Sequence, residues 1–236
     1  MKKISLCVAL TLVLLSSSMQ TQAHVTLGFT TSPGPQSSSF AISDLGGSLR
    51  NLDFGNLSIT IADDSGTTIS ELIGAQIVIG SALIDLSTEN LIATFGMTSI
   101  YSYDLTAATS VNGFSIVLGG NTILEADLYF NSLVTVGKSG SIDPEINYSF
   151  GNVALNTTGL TAGTIAYLSQ YISGADMVLS LASDSLNMYA GLHGTQTFHG
   201  VVGGTAAPIP EPFMYLFMGW GVVMLYTVRK VNSKCK

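Results

Sequence analysis

Charged residues are scarce in this chain of 236 residues. Asp, Glu, Lys and Arg together make up 10% of it, against roughly 25% in average soluble domains, while the apolar fraction of 47% is ordinary. Ser, Thr, Asn and Gly take the place of the missing charges. A surface that is polar without being ionic is typical of extracellular β-proteins and does not suit a helix-rich cytosolic enzyme.

Basic residues are almost absent from the middle of the chain. Between His24 and Pro210 there are two, Arg50 and Lys138, against fourteen of the fifteen acidic residues, so this region has a formal charge of −12. Binding to phosphate-rich partners requires clustered Lys and Arg. The sequence therefore excludes nucleic acid and anionic lipid as partners of this surface.

Cysteine is also missing from the middle of the chain. Cys7 lies in an N-terminal apolar run and Cys235 follows a C-terminal one. A disulfide framework or a cysteine-based zinc site is therefore excluded between them. The stability of this region must come from its core.

The N-terminus has the three-part layout of a secretory signal peptide. Lys2 and Lys3 precede an apolar run over residues 4–15, and a polar stretch leads to Ala23. Twelve helical residues span about 18 Å, which is short of a hydrocarbon core of roughly 30 Å, so a retained membrane anchor is the weaker interpretation. We expect residues 1–23 to be removed by cleavage between Ala23 and His24.

The C-terminus combines a proline-flanked acid, an apolar segment and a basic end. Pro210, Glu211 and Pro212 precede residues 213–228, which carry no charge and predict a transmembrane helix. The tail 229–236 is basic and is expected to be cytoplasmic under the positive-inside rule. Its basic residues are Arg229, Lys230, Lys234 and Lys236. Lys2 and Lys3 are assigned to the same side, so residues 24–212 are expected across the membrane.

This tail resembles the PEP-CTERM sorting signal of Gram-negative bacteria that make extracellular polysaccharide. The resemblance is confined to residues 208–236. It implies export across the inner membrane, a transient anchored stage, and processing by a membrane protease and transferase of the exosortase type. It also implies a final location at the cell surface or in the extracellular matrix, with exopolysaccharide as an expected partner. A simple single-span anchor that is never cut is the alternative.

Residues 24–202 are predicted to form an all-β domain, either a β-sandwich or a related antiparallel β-domain. Short β-branched or aromatic runs alternate with Gly, Asn and Asp at about ten residues per strand and turn. Leu57, Ile59 and Ile61 are expected on one face of a strand, with a turn over residues 63–66. The other predicted strands are 77–79, 91–95, 114–118, 126–130, 133–136 and 177–181, with a hairpin turn at 119–121.

Two further segments have other predictions. Ile165, Leu168, Tyr171 and Ile172 have the spacing of a helix face, which indicates a short helix. Residues 30–39 and 203–212 are predicted to be loops or linkers by composition, and the second of them is a stalk that carries the PEP motif.

Metal ligands are poorly represented. His193 and His199 would lie about 20 Å apart on a continuous strand, too far to share a metal, and His24 could bind copper only as a free N-terminus. Asp143, Glu145 and Asn147 alternate and are weak calcium candidates, although Pro144 favours a loop. The sequence predicts no metal site and no cofactor, and the acidic pair at 63–64 is assigned to a solvated turn.

Catalytic motifs are missing as well. The chain has no Gly-x-Ser-x-Gly elbow, and Gly137-Lys138-Ser139 lacks the earlier glycine of a P-loop because position 132 is Ser. We therefore expect no enzyme activity, and a periplasmic hydrolase is the least favoured function.

Two non-enzymatic functions remain open. The first is a structural or interaction role at the surface or in the matrix. The second is a carbohydrate-binding module, in which exposed tyrosines stack on sugar rings. The candidates are Tyr101, Tyr103, Tyr129 and Tyr148. An exposed, flat row of aromatic side chains would favour the second.

Overall fold

The computed structural model of the protein describes residues 25–31, 39–107, 111–147, 154–184 and 187–209. These residues are mostly antiparallel β-structure, which confirms the all-β prediction. The strands are β1 (Val25–Thr31), β2 (Phe40–Gly46), β3 (Leu49–Phe54), β4 (Leu57–Asp64), β5 (Thr67–Thr68), β6 (Gln76–Ile79), β7 (Ala82–Phe95), β8 (Thr98–Ala107), β9 (Phe114–Leu118), β10 (Asn121–Val136), β11 (Ser139–Asn147), β12 (Ala154–Leu155), β13 (Ala175–Ser183) and β14 (Phe198–Pro208). The helices are α1 (Ala162–Ser169) and α2 (Met188–Leu192), with 3₁₀ turns at Ser70–Leu72 and Gln170–Ser173.

The strand order closes on itself twice. One circuit runs β1-β4-β6-β9-β10-β11-β13-β14 and back to β1, and the other runs β10-β11-β13-β14-β2-β3-β7-β8 and back to β10. Both are possible because β10 and β14 are long enough to change partner along their length. The four strands β10, β11, β13 and β14 are common to both circuits.

Ser39 stabilises the point where β14 changes partner. Gly203 to Ala206 pair with β1, whereas Phe198 to Gly200 pair with β2. The buried Ser39 hydroxyl accepts from the Val202 N–H at 2.6 Å. The Ser39 N–H donates to the Gly200 carbonyl at 2.8 Å. The Val202 N–H and the Gly200 carbonyl are therefore hydrogen-bonded where β14 changes partner.

The core is one cluster of buried apolar residues. Strand β13 shows how it is filled, because buried and exposed residues alternate along its whole length. Met177, Leu179 and Leu181 point inward, as the period of two in a strand requires.

The predicted turns are confirmed where glycine permits a positive φ. Gly119 and Gly120 have φ of 58° and 83° and join β9 to β10 by pairing Leu118 with Asn121. In the acidic turn, Asp63 Oδ1 accepts from the Gly66 N–H at 2.7 Å. Asp63 and Asp64 themselves are the half-buried last residues of β4, so the turn proper is at 65–66 and the acids are less solvated than predicted.

Three predictions about strands were wrong. Ile61 does not share the face of Leu57 and Ile59, because the β1–β4 register shifts between Gly28 and Phe29 and turns Ile61 outward. Segments 126–130 and 133–136 belong to the single strand β10, which has an irregularity between them. Residues 203–208 continue β14, so the β-domain extends into the predicted linker because this segment pairs with β13.

The predicted short helix is confirmed, but its buried face differs in part from the predicted one. Thr161 caps α1 by accepting from the Thr164 N–H at 3.3 Å. Leu168 and Tyr171 of the predicted face are buried, whereas Ile172, which lies in the 3₁₀ turn after α1, is 40% exposed. Tyr167, which was not predicted on this face, is also buried, so the prediction is right in part.

The two ends of the described domain leave the sheet at the same place. Strand β1 begins at Val25 and β14 ends at Pro208. These strands are antiparallel neighbours, with Leu27 opposite Ala206. Val25 is two residues before Leu27, and Pro208 is two residues after Ala206. The chain therefore enters and leaves the domain at neighbouring points.

Candidate functional site

The residues on which the targeting predictions rest lie outside the described residues. This applies to the cleavage point at Ala23 and His24, to the motif at 210–212, to the predicted transmembrane segment 213–228 and to the basic tail 229–236. Within the described ranges, no helix is long and apolar enough to cross a membrane.

The calcium candidates are in a strand rather than a loop. Asp143, Glu145 and Asn147 lie in β11, and Pro144 is opposite Phe130 in β10. The loop predicted from Pro144 was wrong because the proline sits beside a register shift, where a missing N–H is tolerated. In the described part of the chain, no group of three or more His, Cys, Asp or Glu residues could hold a metal.

The two later histidines do not share a strand. His193 follows α2, and His199 lies in β14 with an exposed side chain. The 20 Å separation derived for a continuous strand therefore does not apply to them.

The nominated tyrosines do not make a flat row. Tyr103 is fully buried and Tyr129 is 46% exposed on β10. Tyr148 lies outside the described residues, and Tyr101 stacks on a residue that the sequence did not single out, Tyr189.

A cluster around Glu89 brings together residues that are far apart in the chain. The Tyr103 hydroxyl donates to Glu89 Oε2 at 3.0 Å. The same oxygen lies 2.7 Å from His193 Nε2. Glu89 is on β7, Tyr103 on β8, and His193 directly after α2. One carboxylate thus connects a hairpin to the end of a helix.

Aromatic rings extend the cluster outward. The Tyr101 and Tyr189 rings stack with centroids 4.5 Å apart, and the Tyr189 and His193 rings are 4.4 Å apart. Both tyrosines are half-buried, and His193 is exposed. We call Glu89, Tyr101, Tyr103, Tyr189 and His193 the Glu89 cluster.

Two tyrosines of this cluster, Tyr103 and Tyr189, are held in the neutral form. Burial, followed by the hydrogen bond to the Glu89 carboxylate, raises the pKa of Tyr103 far above its usual value. Burial, followed by the negative charge of Glu89, also raises the pKa of Tyr189. A phenol in this state donates a hydrogen bond and does not act as a base near neutral pH.

Arg50 fixes the helix that supplies Tyr189 and His193. Its Nε donates to the Leu192 carbonyl at 2.8 Å, and its Nη2 donates to the Gly194 carbonyl at 3.4 Å. Its Nη1 lies 2.7 Å from Asp44 Oδ1. The guanidinium is therefore charge-balanced and also occupies carbonyls at the end of α2.

Sequence reasoning missed Glu89, Tyr189 and the role of Arg50. One signal was available, because Tyr189 and His193 are four residues apart after Asn187, a good N-cap, whose side chain accepts from the Tyr189 N–H at 3.0 Å. Nothing local indicates that this short helix contacts Glu89.

Comparison of the chain with protein-family models, curated proteins and solved structures finds no match.

Proposed function

We propose that this protein is an exported surface or extracellular-matrix component. Its C-terminal segment acts as a PEP-CTERM sorting signal for an exosortase-type protease and transferase in a Gram-negative envelope. The β-domain, which we expect to pack as a β-sandwich, has a structural or interaction role associated with exopolysaccharide and no enzymatic activity.

The pairing of β1 with β14 is the observation that carries this proposal. A precursor attached to one membrane through both ends needs a domain whose first and last strands meet that membrane on one side. Leu27 lies opposite Ala206 in antiparallel strands. The start of β1 and the end of β14 are therefore on the same side of the domain, as this requirement demands. A fold with ends on opposite sides would need a long linker to do so.

The short distance from the fold to the motif is a second support. Ile209 still donates its N–H to the Gly174 carbonyl at 3.0 Å, and Pro210 follows directly. Four extended residues reach about 13 Å beyond Pro208. The domain would therefore rest close to the membrane until the tail is cut.

The processing prediction is tested by intact mass spectrometry of surface-exposed protein from an exosortase-producing host. We expect a chain that begins at His24 and lacks the residues after about Pro212. Glu211→Ala should leave uncut protein in the inner membrane. The matched control is Asp176→Ala, an exposed acid near the same end of the domain, which should be processed normally. Surface protein that retains Lys236 would refute the proposal.

Carbohydrate binding is the second candidate, and the Glu89 cluster is what favours it. Aromatic faces beside a few polar groups are the usual lining of small-ligand sites. Tyr101, Tyr189 and His193 supply the rings, and Glu89 supplies an acceptor for sugar hydroxyls.

The binding prediction compares two tyrosine variants of the full chain. If the cluster binds the host exopolysaccharide, Tyr189→Ala should weaken binding at least tenfold, about 1.4 kcal/mol. Tyr129→Ala, an exposed tyrosine on β10, should leave binding unchanged. Circular dichroism of both variants checks folding. Equal affinities for the two variants, or no binding by the unaltered chain, would remove this candidate.

A further inference from the structure

The hairpin of β7 and β8 extends beyond the rest of the sheet. Strand β3 pairs with β7 only as far as Asp85, and β10 pairs with β8 only from Ile100 onward. Past Asp85, β7 pairs with β8 alone, from Asn90 opposite Ser102 to Phe95 opposite Thr98. Ile100 to Ser102 of β8 also pair with β10, so the hairpin extends past both neighbouring strands only over residues 94–99. We call residues 90–99 the arm.

The arm is apolar and exposed. Its exposed side chains are Leu91 (54%), Ile92 (54%), Phe95 (69%) and Met97 (104%). It contains no charged residue and no proline. Two strands alone are marginally stable in water, and large exposed apolar patches mark interaction sites.

The outer edge of β7 has the properties of a pairing surface. Past Leu86, whose N–H donates to the Ser48 carbonyl, the described residues include no strand on that side of the arm. Natural proteins protect such edges with charges, prolines or bulges. The arm has a register shift between Leu91 and Ala93 and neither of the other protections.

The arm lies at the end of the sheet opposite the chain ends. Ile100 pairs with Val136 beside the turn at 137–138, at the same end as Gly200. Pro208 is at the other end of β14, roughly 26 Å away for eight residues of strand. A membrane that holds the chain ends therefore faces away from the arm.

The uncharged arm permits a second copy at this edge, and the hydrogen-bonding pattern of the edge favours one. The region between His24 and Pro210 carries −12, so two copies repel over most of their surfaces. Residues 90–103 are uncharged, so contact between two copies there has the lowest electrostatic cost. An antiparallel edge is also self-complementary, since the same strand rotated by 180° presents matching N–H and C=O groups.

We infer that two copies of this protein associate arm to arm, through antiparallel pairing of their β7 edges across a two-fold axis. The interface buries Leu91, Ile92 and Phe95 of each copy and extends the sheet from one copy to the next.

Cysteine cross-linking in intact cells tests this pairing. Full chains carrying Cys7→Ser and Cys235→Ser receive one cysteine at Leu91, Ile92, Ala93 or Thr94, and a membrane-permeant oxidant is added. Opposed residues in antiparallel strands bring Cβ atoms about 4.5–5.5 Å apart, close to disulfide geometry. We expect a disulfide-linked dimer that peaks at one of these positions and falls on either side.

The control cysteine is placed at Val178, which is 48% exposed in the middle of β13. Cross-linking at the arm no stronger than at Val178 would overturn the inference. A charge test accompanies it. Adding Ile92→Lys to the most efficient of the chains with cysteine at 91, 93 or 94 should reduce the dimer at least tenfold, and adding Val178→Lys to the same chain should not. If Ile92→Lys instead leaves cross-linking unchanged and releases the protein from membranes or polysaccharide, the arm serves another partner and the inference is wrong.

Discussion

Gly200→Ala is expected to destabilise the domain by about 3 kcal/mol or more, which is the upper part of the range for overpacked cores. A Cβ at this position would lie 2.2 Å from the Ala182 carbonyl oxygen and 2.5 Å from the Phe40 ring. The first contact is with the backbone of β13, so it cannot be relieved by rotating a side chain. Strands β13 and β14 must therefore separate, and the Phe40 ring must also shift from its place in the core.

The control for this variant is in the same strand. A Cβ at Gly203 would meet nothing closer than the Phe29 carbonyl oxygen at 3.7 Å, an ordinary contact. Gly203→Ala should therefore change the free energy of unfolding by less than about 1 kcal/mol, mainly through chain entropy. Urea denaturation of both variants measures the difference, and equal stabilities would show that β13 and β14 are less tightly packed than described.

Arg50→Met is expected to cost about 3 kcal/mol, the lower end of the range for removing one partner of a buried ion pair, because Asp44 stays partly exposed. Arg50 is 6% exposed and carries the only guanidinium of the residues between His24 and Pro210. Its loss would leave Asp44 without its cation and the Leu192 carbonyl without its donor. Methionine fills the space but supplies no donors.

Hydrogen exchange separates a local effect from a global one. Because Arg50 fastens the end of α2, we expect faster exchange over residues 189–194 in Arg50→Lys, which keeps the charge but loses the planar fork. Lys138→Ala removes the other basic residue of the region, which is exposed, and should alter neither stability nor exchange. Unchanged exchange at 189–194 in Arg50→Lys would contradict the anchoring role.

Local patterns in the sequence were sufficient for much of the fold. The turn at Gly119 and Gly120 was predictable because its backbone requires positive φ, which glycine adopts without strain. Ile61 was misassigned because a register shift depends on the neighbouring strand β1 and leaves no mark in the sequence of β4. The length of β10 was missed for a similar reason, since its irregularity resembles a break.

The candidate site was hardly predictable, because its contacts join distant residues. Glu89 and His193 are 104 positions apart, and Arg50 and Leu192 are 142 apart. Tyr101 and Tyr103 were nominated as exposed tyrosines, but Tyr103 is fully buried. The stack of Tyr101 on Tyr189 depends on where a five-residue helix docks. Such a helix is too short to be identified by periodicity.

The pairing of the first strand with the last also sets when the domain can finish folding. A chain exported from its N-terminus presents β1 first, yet the Leu27 partner in β14 is Ala206, so one edge of β1 must wait for almost the whole domain to emerge. Contacts of such sequence separation form slowly. On the export route proposed above, closure would coincide with the arrival of Pro210 at the membrane, and the transient anchor would hold the chain in place while its ends find each other.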